Sequence, residues 1–161
     1  MKMKIYRAFA AAFVALFLLS ACSDPVADAR DAAERAHIAH LRVGAANGYV
    51  YYKKINSTAK KTLKDLYLVS AKAFLAAYQS AQAAAVAPSE YAAKQRATNA
   101  RTAAKTAEES AKATEKVVLS IYPAYNAKKS LDDMMAELAA DGFDNIDKSA
   151  KSVATYLSYP R

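Results

Sequence analysis

Residues 89–122 read SEYAAKQRATNARTAAKTAEESAKATEKVVLSIY, from Ser89 to Tyr122. Taken in steps of four and three, the stretch places Ala93, Ala97, Ala100, Ala104, Ala107, Ala111, Thr114, Val118 and Ile121 on one helical face, a seam repeating every seven residues. The other faces are filled by Lys94, Gln95, Arg96, Thr98, Asn99, Arg101, Thr102, Lys105, Glu108, Glu109, Lys112, Glu115 and Lys116, so the helix is amphipathic and not merely alanine-rich. A stripe of methyl groups buries little area per residue. It stabilises only when a second helix comes close enough for the two backbones to make dispersion contacts. The stretch therefore predicts a closely packed antiparallel neighbour.

That neighbour lies just upstream. Pro88 interrupts the chain and Ser89 restarts it as a helix cap, with Glu90 beside the positive end of the new helix. A connection this short forces the helices on its two sides to run antiparallel. The preceding helix, capped by Ser57 or Thr58, carries Leu63, Leu66, Tyr67, Ser70, Ala73, Phe74, Ala77 and Ala81 on one stripe. Its large residues cluster in the first half, and its second half, Ala73 to Ala87, matches the alanine seam across the turn.

Further upstream, Asp24 and Pro25 open a first helix with Val26, Ala29, Ala33, Ala36, His40 and Val43 in the same alternation. Gly44 and the Asn47-Gly48 pair suit a left-handed cap, which puts its end near Asn47. Tyr49 to Ile55 reads as a helix continuation or a loop. Downstream, Pro123 ends the third helix. Ser130 then caps a short helix with Leu131, Met134, Met135 and Leu138 on one face, closed by Gly142 with Phe143 in the contact that accompanies a glycine cap. Asp144 or Asn145 opens a last helix bearing Ile146, Ala150, Val153, Ala154 and Leu157, and Pro160 ends it. The predicted fold is all-α: an elongated antiparallel bundle of three long helices and one or two short C-terminal ones, with an alanine-rich seam.

With 161 residues, only 3 Gly and 4 Pro, the chain is sized for one domain with few helix breakers. The formal net charge is +8, of which Lys2, Lys4 and Arg7 belong to the N-terminal segment, leaving +5 for the remainder. That excess permits contact with anionic surfaces without demanding it. A nucleic acid partner is accordingly disfavoured.

The N-terminal segment has the order of a secretory signal: a positive start, an uninterrupted apolar run from Ala8 to Leu19, then small residues. The run is shorter than the roughly 20 apolar residues of a permanent span. At its end, Leu19-Ser20-Ala21-Cys22 resembles the lipobox of bacterial lipoproteins. The resemblance covers the leader alone and implies that residues 1–21 are removed, that the Cys22 thiol receives a diacylglycerol, and that residues 22–161 form the mature domain. It implies an N-acyl chain as well in a diderm bacterium. Ser23 does not match the aspartate signal for inner-membrane retention, so the resemblance points to the periplasmic side of the outer membrane. Cys22 is the sole cysteine, which excludes an intrachain disulfide; the other reading is an ordinary secretory signal cleaved near Ala21 that leaves a free thiol, an oxidation liability that acylation would remove.

Little else carries chemistry. Glu34-Arg35-Ala36-His37 matches one Glu-x-x-His element of a di-iron bundle, but such a site needs a second element, and His40 is the one remaining histidine. His37 and His40 therefore read as polar residues at the edge of a helix stripe. Asp141, Asp144 and Asp147 have the wrong spacing for an EF-hand loop and read as helix caps. No nucleophile elbow marks out a serine. Catalytic residues, metal and cofactor are expected to be none.

The tyrosines are more informative, because many of the 11 fall near helix breaks. If the first helix rises from Cys22, Tyr49, Tyr51, Tyr52, Lys53, Lys54, Lys60, Lys61, Tyr122 and Tyr125 gather at the end far from the membrane. Two readings fit this tip. It is a binding face for an envelope protein or an anionic envelope ligand, or its tyrosines close the open end of the bundle with hydroxyls in water. The sequence thus predicts a lipid-anchored, non-catalytic binding or accessory factor, of exclusion or immunity type among the options. The structural alternative is a homo-oligomeric spacer in which the alanine seam lies between chains.

Overall fold

A computed structural model describes residues 24–51, 55–126, 128–129 and 143–159. The leader with Cys22, Tyr52, Lys53 and Lys54, the expected short helix from Ser130 to Gly142, and Pro160 lie outside the described residues. The described residues form four helices in order: α1 Pro25–Tyr51, α2 Ser57–Ala85, α3 Glu90–Ile121 and α4 Phe143–Ser158. Among the described residues there is no strand. At 1.5 Å per residue the three long helices are each about 40–50 Å in length.

Local chemistry accounts for the starts. The Asp24 carboxylate accepts from the Val26 amide at 2.9 Å, and the Ser89 hydroxyl accepts from the Ala92 amide at 3.2 Å. The cap of α2 is Asn56, one residue before the expected Ser57 or Thr58: its Oδ1 takes the Ala59 amide at 2.7 Å. Asparagine caps as well as serine, and here its side chain is the one that reaches the free amide. The start of α4 at Phe143 likewise precedes the expected Asp144 or Asn145.

At the end of α1 the structure takes the helix-continuation reading over an end near Asn47. Neither Gly44 nor Asn47-Gly48 terminates the helix, which runs on to Tyr51. The Asn47 side-chain amide donates to the Val43 carbonyl at 2.9 Å and to the Leu63 carbonyl at 3.4 Å, tying α1 to α2 instead of capping it. Beyond it, Val50 packs with Ala46, Leu63, Val118 and Tyr125 in a distal core. Burying those side chains outweighs the cost of helical glycine, about 1 kcal/mol each.

The three long helices contact one another pairwise, and α4 lies mainly on α2 with a lesser contact to α1. Of the seam, Ala93, Ala97, Ala100, Ala104, Ala107, Ala111, Thr114 and Val118 are buried, with Ala100, Ala104 and Ala107 fully sealed from solvent. Facing them are Ala71, Ala77, Ala81 and Ala84 of α2 and Ala29, Ala32, Ala33, Ala36 and Ala39 of α1, in one main core. Buried Thr114 returns its hydroxyl to the Ser110 carbonyl at 2.8 Å, so it leaves no polar group unmet. The seam is filled from within the chain.

A seam this close has no room for extra atoms. Ala104→Leu is expected to destabilise the bundle by about 1–3 kcal/mol through overpacking, whereas Thr102→Leu on the exposed face should change stability by less than about 0.5 kcal/mol. Chemical denaturation monitored by helical circular dichroism distinguishes the two. Equal effects would mean that the helices do not meet along this line.

Candidate functional site

The distal residues fall into two clusters. In the first, Tyr49 near the end of α1 meets Tyr122, which caps α3, edge to face at 5.5 Å between ring centroids. It also meets Tyr125, just past Pro123, in a tilted contact at 4.8 Å. Such aromatic pairs add about 0.5–1.5 kcal/mol beyond their area. Tyr125 is buried and its amide bonds the Tyr122 carbonyl at 3.0 Å, which folds the chain back over the end of the core. Burial, with Glu115 and Tyr49 nearby, pushes its phenol up to about 12. Among the described residues its hydroxyl has no hydrogen-bond partner. Lys128 and Asn126 line a small cavity of 220 Å³ beside it, with Glu115 and Leu119.

The second cluster lies between α1, α2 and α4. Tyr51, 78% exposed, and Lys60 line a cavity of 650 Å³ whose other described walls are Asn47, Val50, Ile55, Leu63, Lys64, Tyr67 and Tyr156. Lys61 is directed to Asp65 in an ion pair of 2.9 Å along α2. The expected tip of nine residues is therefore divided: Tyr49, Tyr122 and Tyr125 meet, Tyr51 and Lys60 line the cavity, Lys61 pairs within its helix, and Tyr52, Lys53 and Lys54 lie outside the described residues.

A third grouping corrects the reading of the histidines as stripe-edge residues. Both are buried, at 5% exposure for His37 and 6% for His40. Each stacks on Phe74 of α2, with centroids 4.9 Å from His37 and 5.9 Å from His40. The His37 Nε2 lies 3.0 Å from the Ser149 hydroxyl of α4, and the His40 Nδ1 lies 3.0 Å from the Ser70 hydroxyl of α2. Because Ser70 gives its one hydrogen to the Tyr67 carbonyl at 2.9 Å, the His40 Nδ1 is the donor in that bond. Burial lowers both imidazoles to about 4, with the neighbouring His37 contributing a smaller part of the His40 shift. Both rings are neutral at physiological pH.

Next to them, Tyr78 donates to the Asp147 carboxylate of α4, which also pairs with Lys151. Asp147 is thus a latch residue inside α4, not a helix cap as its spacing suggested. Lys151 and then Tyr78 hold its carboxyl below the usual range, while burial and the carboxylate push the Tyr78 phenol up to about 12. The inward direction of His40 is legible in its seven-residue phase with Ala33 and His37 follows Ala33 by one turn, whereas Ser149 and Ser70 become their partners only through folding.

Chemically this is a pair of neutral histidine–serine hydrogen bonds beside a charged Tyr78–Asp147–Lys151 latch. Among the described residues no three His, Cys, Asp or Glu side chains converge as a metal site, and no helix is long and apolar enough to cross a membrane. No family model, curated protein or solved structure matches this chain.

Proposed function

We propose that the chain is a small lipid-anchored envelope protein that holds a non-catalytic binding surface away from the outer membrane, facing the periplasm. The observation that carries this reading is the sequence of positive start, apolar run and Leu19-Ser20-Ala21-Cys22, with the first helix starting three residues later at Pro25. A lipid on Cys22 would hold the start of α1 at the bilayer surface. The other end of α1, with Tyr49 against Tyr122 and Tyr125, would then stand about 40 Å away. Aromatic side chains with partly exposed edges suit a protein partner. An accessory role, of the exclusion or immunity type among others, fits such a surface. The alanine seam is occupied inside the chain, so it supports a folded-back monomer over a seam-paired spacer.

Two or three acyl chains hold a protein stably, at about 0.8 kcal/mol per buried methylene. Cys22→Ser is expected to abolish incorporation of labelled palmitate and to move the protein out of the membrane fraction. Retention of Cys22→Ser in that fraction, or an unmodified N-terminus by mass spectrometry, would reject the anchor. For the binding surface, a photocrosslinking residue at Tyr49 in intact cells should capture one discrete partner that the same residue at Thr98 does not. Identical capture from both positions would reject the tip.

A further inference from the structure

The groove between α1 and α2 is covered over only part of its length. Ile146, Ala150 and Val153 of α4 fill its middle, beside His37 and Phe74. Cover by α4 reaches Tyr156, whose ring meets Tyr67 edge to face at 5.7 Å. Beyond that pair the groove opens into the 650 Å³ cavity, within the 300–1,000 Å³ of small-molecule sites.

Its lining is sorted by polarity. Val50 and Leu63, both nearly sealed from solvent, form the floor, and Ile55, Tyr67 and Tyr156 supply further apolar wall. Lys60 and Lys64 stand one turn apart on α2 at the rim, both exposed. Among the described residues no carboxylate lines the cavity, and neither lysine is in an ion pair. Asp65, the nearest acid along α2, is engaged with Lys61. An apolar floor under two uncompensated ammonium groups matches a ligand with one apolar chain and an anionic head.

We propose that this cavity binds a single-chain anionic amphiphile, with its acyl chain over Val50 and Leu63 and its carboxylate or phosphate at Lys60 and Lys64. The anchor of the protein itself cannot be the occupant. Pro25, three residues after Cys22, is at the opposite end of α1, about 40 Å from Val50, and one leaflet's acyl chain extends about 15 Å. The site goes beyond the anchored-binder reading and requires neither acylation of Cys22 nor a protein partner.

The test is photolabelling of the full chain in a non-ionic maltoside with a diazirine-bearing C16 fatty acid, followed by peptide mapping. Adducts are expected in residues 47–67 and around Tyr156, competed by unlabelled palmitate. Lys60→Glu with Lys64→Glu should cut that labelling roughly tenfold, the scale of a lost charge-assisted contact, while helical circular dichroism is unchanged. Lys60→Gln with Lys64→Gln should show a smaller loss and covers the case in which charge reversal disturbs the fold. Competition by a lysophospholipid as strong as that by palmitate would identify a phosphate head as equally acceptable; competition by palmitate alone would identify a carboxylate. Adducts scattered over the helix surfaces, labelling equal with the neutral C16 alcohol, or labelling indifferent to both lysine pairs would overturn the proposal. None of these outcomes depends on whether Cys22→Ser releases the protein or Tyr49 captures a partner, so the two readings fail separately.

Discussion

Acidification from pH 7.5 to pH 4 is expected to remove about 5 kcal/mol of stability, most of it between pH 6.5 and 4, and to loosen α4 first. His37 and His40 ionise near 6.5 in an unfolded chain and near 4 in the folded one. The folded value is the lower, so the neutral rings contribute stability that is present in full above pH 6.5 and lost as the pH falls towards 4. Each ring withdraws up to about 3 kcal/mol, and the total is slightly under twice that because part of the His40 shift belongs to the pair. The cause is burial: among the described residues no carboxylate bonds to either ring, and Phe74 covers both. A folded small domain has about 5–15 kcal/mol in hand, so the effect is large.

α4 should respond first because His37 meets it through Ser149, where a protonated ring would have to be rehydrated. Asp147 does not contribute in this window, since its carboxyl is held below its ordinary value by Lys151 and Tyr78 and protonates at lower pH. Urea midpoints measured from pH 7.5 to 4 should fall steeply for the natural chain and shallowly for His37→Gln with His40→Gln. Parallel curves for the two proteins would show that the imidazoles are not neutral and buried.

Phe74→Ala is expected to cost about 3–5 kcal/mol, the range for removing a fully buried aromatic side chain. Among the described residues Phe74 is the largest side chain with no solvent exposure, and it is the surface against which both histidines lie. Alanines fill most of the surrounding core, so few neighbouring side chains are long enough to swing into the space. The cavity would remain, or fill with water. Rehydration would return the imidazoles towards 6.5, their unfolded value, so the urea midpoint should fall at pH 7.5 and then depend less steeply on pH than that of the natural chain. Phe74→Leu should lose less than half as much and leave the pH dependence near that of the natural chain. A loss below about 1 kcal/mol for Phe74→Ala would contradict the tight core at this level.

Much of the bundle is legible without coordinates because its signals are local or periodic. The seam from Ala93 to Val118 follows from spacing alone, and the breaks at Pro88 and Pro123 follow from the missing amide and fixed φ of proline. Where local signals compete, spacing is insufficient. Asn47-Gly48 is a good helix end in isolation, yet Val50 and Tyr49 have partners on α2 and α3 that reward another turn of helix. Asn56 precedes two hydroxyl residues equally able to cap, and side-chain geometry selects it.

The sites follow the same division. That tyrosines gather at the far end of α1 is readable from their positions, but their division between the Tyr122 face and the Lys60 cavity depends on how α4 crosses the bundle. His40 and Ser70 are 30 residues apart and His37 and Ser149 are 112 apart, and no periodicity relates such partners.

By itself the sequence determined an alanine-seamed all-α bundle and the direction in which its helices fold back, because helical period, caps and proline breaks act over a few residues. Only the tertiary structure decided that the histidines are buried and neutral, that Asp147 latches α4, and that an apolar cavity remains beside Lys60 and Lys64. Those properties arise from desolvation and from the space left between elements distant in the chain, which are fixed when the helices pack.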